Sequence, residues 1–431
     1  MRHGASRVVS RSIAWLVIVA LLLSSCASRR VKPIGAEKPF KPDADELRLW
    51  TQAEKEEDQL RKKLKSYDDP LLEEYLAALG DKLVSDDARE AGGPGFKFGV
   101  LRDPTLNAFA MPNGRIYIHT GLLARLDNEA QLAMIVGHEM THVTNRHALR
   151  FTRAGENKRI LVSVPALAAS IGVAVAGSQA TSGDYAGAAV LSPTANVLLG
   201  LGLQVAALAA INGYGRDLER EADEGGMASL VRAGYDPKQA PRVFELLRKE
   251  SRDRGSLETF FFGSHPRLTE RAEDTNQLIK NRYAVAAVAP GTVTNTEEFG
   301  LRMRTVVREN ARLDIQAGRF TLAAQQLDRV LALTPKDPVA QLYYGDLYRL
   351  QAQRARNAAD KAGKATKALE RYERSAELDP TYPDPFRQLG FLYYQQKENL
   401  RAKEAFQKYL ALKPDAPDAP RIKEYLVEID R

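Results

Sequence analysis

Apolar residues fall at helical spacing from Asp43 to Ser66 and again from Leu71 to Val84, with Asp69-Pro70 as the break between them. Gly92-Gly93-Pro94-Gly95 ends that pattern, and from Phe96 to Leu101 the period changes to the alternation of a strand. Asn107–Met111 and Arg115–His119 then read as a hairpin closed by Pro112-Asn113-Gly114. A long helix follows, with Asp127 as its N-cap and no breaker before Arg150. From Ile160 to Gly215 the single charged residue is Asp184, so this stretch is either a buried hairpin covering a cleft or a segment touching a membrane. Asp217 to Gly234 is helical again and stops before Asp236-Pro237.

Beyond about residue 300 the pattern becomes helix pairs punctuated by Pro335, Pro380 and Pro414. The last two lie 34 positions apart, the tetratricopeptide period, and Leu389, Gly390, Tyr393, Ala402 and Phe406 fall on its consensus positions. Gly345, Tyr348 and Ala368 repeat them one unit earlier, and the first unit keeps Ala323. The first gap is longer, which fits an insertion at Arg354–Lys364. Residues 417–430 read as a capping helix.

At 431 residues, with 44% hydrophobic and 27% charged positions, the chain is globular and large enough for two or three domains. The formal charge of +7 falls to +4 once Arg2, Arg7 and Arg11 are set aside with a leader, too weak a balance to point to nucleic acid. Those arginines precede an apolar run, Ile13–Leu23, too short for a comfortable membrane span, and then Leu23-Ser24-Ser25-Cys26. This run resembles the bacterial lipobox, which implies a lipid on Cys26 at the new N-terminus. Cys26 is the sole cysteine, so no intramolecular disulfide forms. The absence of an acidic residue after Cys26 matches an outer-membrane address on the periplasmic side.

Chemistry concentrates in His138-Glu139-Met140-Thr141-His142. Residues four apart share a helix face, so His138 and His142 can grip one metal ion, and Glu139 beside them can act as base on a water. Imidazole and carboxylate donors suit one zinc ion, Zn2+. Asn145 and Ala148 stand where a metzincin needs Gly and His, which excludes that class. His147 lies about 180° from His138 on an unbroken helix and reads as a packed or capping side chain. The third ligand must come from elsewhere. Glu219 and Asp223 share a face, Glu221 points away, and one of the pair can bind metal while the other fixes a ligating histidine.

Asn107-Ala108-Phe109, Pro112-Asn113-Gly114, Thr120-Gly121-Leu122, the run from His138 to His147 and Glu219-x-x-Ala222-Asp223 together resemble the gluzincin peptidases, the family of the CAAX prenyl protease and the heat-shock membrane protease. The resemblance implies Glu219 as third zinc ligand, Glu139 as general base and Asp223 behind a ligand. Ser264-His265-Pro266 with Arg271 resembles the family's cleft element. It implies His265 near the zinc, as a possible fourth ligand or oxyanion partner, and Arg271 facing the reacting carbonyl.

The expected fold is mostly α: an α+β zincin-type metalloprotease domain with a small sheet, then an α-α tetratricopeptide domain. Its expected parts are a leader (1–25), a tether (26–42), the protease domain (43–285), a linker (286–302) and the repeats (303–431). Unfolded or misassembled polypeptide would add beside the strand Arg115-Ile116-Tyr117-Ile118-His119. The repeats would dock outer-membrane proteins or their insertion machinery. Two alternatives stay open: a lipid-anchored scaffold or chaperone with a structural or latent zinc site, and a membrane-integral protease using residues 160–215.

Overall fold

A computed structural model describes residues 31–158, 214–253 and 268–431. The leader with Cys26, residues 160–213 of the weakly charged stretch and Ser264-His265-Pro266 lie outside them. Among the described residues no helix is long and apolar enough to cross a membrane.

Asp43 and Glu46 form a capping box that starts α1 (Ala44–Lys63), and Asp69 with Pro70 starts α2 (Pro70–Leu83). A short α3 (Asp86–Ala91) leads into β1 (Lys97–Leu101), β2 (Ala108–Ala110) and β3 (Arg115–His119). The hairpin β2–β3 forms as expected. β1, however, pairs parallel to the far side of β3, giving the order β1-β3-β2. Arg115–His119 is thus the central strand, hydrogen-bonded on both edges, and the expectation that a substrate pairs along it does not hold. The free edge belongs to β2. His119 donates to Asn107 O and Met111 to Arg115 O, so the odd positions face β3, while Ala108 and Ala110 turn their backbone groups outward.

α4 (Thr120–Leu123) leaves the sheet directly, and Asn128 caps α5 (Glu129–Thr144) by accepting from Gln131 N. Asn128 thus replaces the expected Asp127. Nor does the helix run unbroken to Arg150: Asn145 ends it, Arg146 turns at φ 57°, and α6 (His147–Lys158) begins afresh. An arginine in the left-handed region costs about 1 kcal/mol or more. Arg146 is held there by Glu46 (2.9 and 2.5 Å), Asp43 (3.0 Å) and Lys32 O (3.2 Å), with Phe40 beneath its guanidinium. Residues 31–42 are accordingly no free tether. Ile34 is buried and donates to Thr144 O at 2.7 Å.

α5 is buried along almost its whole length and crosses α7 (Arg216–Arg232) at very short range. A Cβ on Gly137 would sit 3.2 Å from Gly226 Cα, and one on Gly226 would sit 3.0 Å from His138 N, so only glycine admits this approach. α8 (Gln239–Asp253), α9 (Leu268–Arg282) and α10 (Ala284–Val288) complete the first domain.

The expected linker is tied down. Val293 pairs with Gly234 and Asp236, Thr294 O accepts from Ala130 N, and the buried Glu129 carboxylate takes Tyr235 and Thr296 hydroxyls. α11 (Glu297–Gln316) begins six positions before the expected boundary at 303. With α12 (Phe320–Leu333) it forms the first repeat. Arg125 reaches Asp314 at 2.8 Å, Thr120 reaches Asn310, and Arg329 donates to Ala124 O and Leu126 O. These buried polar contacts seat the repeat on the wall formed by α4.

α13 (Pro338–Gln353) with α14 (Ala358–Leu378) and α15 (Pro383–Gln395) with α16 (Asn399–Leu412) are the next repeats, and α17 (Ala419–Ile429) caps them. Gly345 and Gly390 leave room for the rings of Tyr372 and Phe406, each within 2.5 Å of where a Cβ would stand. The inserted residues lengthen α14 to 21 residues, against 14 in α12 and α16.

Candidate metal centre

α5 carries His138, Glu139 and His142 into the interior, and the glycine-tight crossing brings Glu219 and Asp223 of α7 against them. His138 Nε2 and His142 Nε2 lie 3.0 Å apart, and each is 3.6 Å from an oxygen of Glu219. A tetrahedral zinc ion with ligands at about 2.0–2.1 Å requires ligand atoms roughly 3.3 Å apart. The triangle has that size, its three members are buried, and two imidazoles with one carboxylate are a zinc donor set. These residues therefore fit the ion that the helix spacing implies.

Both histidines have their outer nitrogen engaged. His138 Nδ1 is 2.9 Å from Asp223 Oδ1, so its proton sits there and Nε2 keeps a lone pair for metal. Asp223 is in turn gripped by Arg271, Nε to Oδ2 at 2.8 Å and Nη2 to Oδ1 at 2.6 Å. Burial alone would push the Asp223 carboxyl up, but Arg271 and His138 overcome it and hold it below its ordinary value. The reciprocal pairing keeps Arg271 charged although it is buried. Its Nη1 lies 3.7 Å from Glu219, and Phe244 stacks under the guanidinium at 4.3 Å.

Glu139 shares a cavity with His138, Asn107, Ala108, Phe244 and Arg271, so the expected base and the outward edge of β2 meet in one space. Arg271 borders that cavity too, with two of its nitrogens committed to Asp223. His265 lies outside the described residues, as does the lipidation candidate Cys26.

Two further participants were not placed at the site by the sequence pattern. Tyr214 stacks on His142 with ring centroids 4.7 Å apart, and its N–H points to Glu219 at 3.5 Å. Burial, with Glu139 and Glu219 nearby, pushes its hydroxyl pKa up. His147, expected to point away on an unbroken helix, is folded back by the turn at Arg146, and its Nδ1 lies 2.8 Å from His142 Nδ1. It is indeed a packed side chain, but packed against a ligand. Burial and then Arg150 hold its pKa down to about 4. Glu221 stands off the metal triangle, as expected, in a bidentate pair with Arg150.

A sequence model described as peptidase family M48 matches residues 70–279, and one described as a tetratricopeptide repeat matches residues 355–426. The chain is 30% identical over 265 residues to the putative beta-barrel assembly-enhancing protease of Vibrio cholerae, covering 61% of this chain and 50% of that protein. It is 31% identical over 271 residues to the beta-barrel assembly-enhancing protease of Escherichia coli, covering 63% of this chain and 49% of that protein. The mitochondrial metalloendopeptidase OMA1 of Arabidopsis thaliana is 30% identical over 174 residues, or 40% of this chain and 30% of that protein. The chain spans about half the length of the first two relatives.

Proposed function

Because residues 70–279 match peptidase family M48 and residues 355–426 a tetratricopeptide repeat, we propose that the chain is a zinc-dependent endopeptidase of the bacterial cell envelope that degrades unfolded or misassembled proteins. The observation that carries this reading is the buried triangle of His138, His142 and Glu219, with Glu139 beside it on a shared cavity.

A zinc ion held there supplies Lewis acidity, polarising a peptide carbonyl and acidifying a water. Glu139 takes the water's proton and passes it to the leaving amine. An extended substrate pairs with the outward groups of Ala108 and Ala110, which brings its backbone to the cavity of Glu139 without regard to side-chain identity. Arg271 places positive charge on the same cavity and stabilises the oxyanion, with His265 assigned either to that task or to a fourth ligand position. Asp223 keeps His138 in its metal-binding tautomer.

The relatives' names place their activity in beta-barrel assembly. By analogy, the repeats here dock outer-membrane proteins or their insertion machinery, and lipid on Cys26 holds the chain at the periplasmic face of the outer membrane. The test is hydrolysis of an unfolded protein by the zinc-loaded chain and by Glu139→Gln, with zinc content measured for both. Loss of hydrolysis with zinc retained is expected. Equal hydrolysis by Glu139→Gln, or a wild-type chain that binds no zinc, overturns the enzyme reading and favours a scaffold.

A further inference from the structure

We propose that His147, Glu221 and Arg150 are positioning residues that orient the ligand His142, a second chain of contacts matching the one from His138 through Asp223 to Arg271; the proposal rests on the zinc reading above. For His142 to offer metal its Nε2 lone pair, its proton must sit on Nδ1. That nitrogen lies 2.8 Å from His147 Nδ1. Two N–H groups cannot face each other at that distance, so His147 Nδ1 is the acceptor and its own proton is on Nε2. His147 Nε2 lies 3.4 Å from Glu221 Oε2 without a well-aligned hydrogen bond, an electrostatic contact that favours this tautomer. Arg150 fixes Glu221 through two bonds of 2.5 and 2.8 Å.

Backbone geometry makes the arrangement possible. On a continuous helix, His147 would sit five positions beyond His142, well off its face. The left-handed turn at Arg146 starts α6 at His147 and swings its ring beneath His142, with ring centroids 4.9 Å apart. Whereas Asp223 and Arg271 are both buried, Glu221 is half-exposed and borders a groove with Thr141 and Asn145. The grip on His142 therefore ends at the protein surface, in a groove that shares no described residue with the cavity of Glu139.

The decisive measurement is the zinc dissociation constant of the full chain by competition with a chromogenic chelator, together with the visible spectrum of the cobalt-loaded protein. His147→Phe, which keeps a ring and removes the acceptor, is expected to weaken zinc binding 10- to 100-fold and to shift the cobalt bands, and His147→Gln, whose carbonyl can accept, to recover most of the loss. Glu221→Gln, a change on a half-exposed side chain that keeps volume, is expected to speed zinc loss to chelator several-fold. It stands in should His147→Phe fail to fold. Unchanged affinity and spectrum in a folded His147→Phe, or unchanged zinc loss in Glu221→Gln, overturns the proposal while the zinc reading stands. If instead wild type binds no zinc and His138→Ala makes no difference, the zinc reading itself has failed.

Discussion

Replacing Gly226 by alanine separates a metal site set by helix proximity from one that adapts to its ion. The new Cβ would lie 3.0 Å from His138 N and 3.2 Å from both His138 Cα and Met134 O. These are backbone atoms that cannot rotate aside, and ordinary contact begins at 3.4 Å, so α5 and α7 must part by about 0.4 Å. Overpacking of this kind costs about 1–3 kcal/mol, while alanine's better helix propensity returns about 0.8–1 kcal/mol. The metal-free protein therefore loses only about 0–2 kcal/mol. Glu219 moves with α7, however, and about 0.4 Å is twice the roughly 0.2 Å tolerance of a metal–ligand distance. Zinc affinity should fall by about tenfold or more, the loss typical when a ligand's support is disturbed. Chelator competition reads the affinity, and thermal unfolding with and without zinc reads the stability. Gly363→Ala is the control, because that helical glycine has nothing within 4 Å of a Cβ and should simply gain stability. If Gly226→Ala melts higher than wild type and binds zinc as tightly, the crossing distance does not set the site.

Ala110→Pro removes one outward N–H from β2 while leaving its ladder with β3 intact; losing one hydrogen bond worth about 1 kcal/mol should lower kcat/KM on an unfolded substrate about fivefold with zinc content unchanged, and an unaltered kcat/KM would sink pairing along that edge. Asp314→Ala leaves Arg125 with Glu250 alone, at 3.3 Å, and takes from Arg319 the carboxylate it shares; the loss, about 1.5–3 kcal/mol, should let limited proteolysis cut between the protease domain and the repeats, and an uncut chain with wild-type urea unfolding would refute the role of that pair. His119 is buried with its pKa lowered, so below about pH 6.5 the unfolded chain binds a proton that the folded chain refuses, and stability falls by about 1.4 kcal/mol per pH unit until the folded pKa is reached. Melting temperatures from pH 8 to 5 should drop more steeply for wild type than for His119→Gln, and parallel curves would contradict this.

What the sequence made legible was local or periodic. His138 and His142 share a face by spacing alone, Glu219 and Asp223 do likewise, and the 34-residue period exposed the repeats. What escaped depends on contacts far along the chain. No residue of Asn145-Arg146-His147 is a breaker, and the turn at Arg146 exists because Asp43 and Glu46, about a hundred positions earlier, hold its guanidinium. The hairpin was readable because its strands are neighbours; the alternation at Phe96–Leu101 marked the other strand, but its parallel pairing with the far side of β3, made across that hairpin, left no mark. Tether and linker were inferred from polar composition, which is blind to single anchors such as Ile34 and Val293.

The strapping of residues 31–42 onto the catalytic domain shortens the leash. Slack of sixteen peptide links from Cys26 to Pro42 would have let the domain roam about 55 Å from a bilayer. With Lys32 already clasped by Arg146, six links remain, about 20 Å at full stretch. On the proposal that Cys26 carries lipid, the cleft would work within a protein's diameter of the headgroups, and the polypeptides it would meet are those emerging at the membrane surface rather than those drifting free of it.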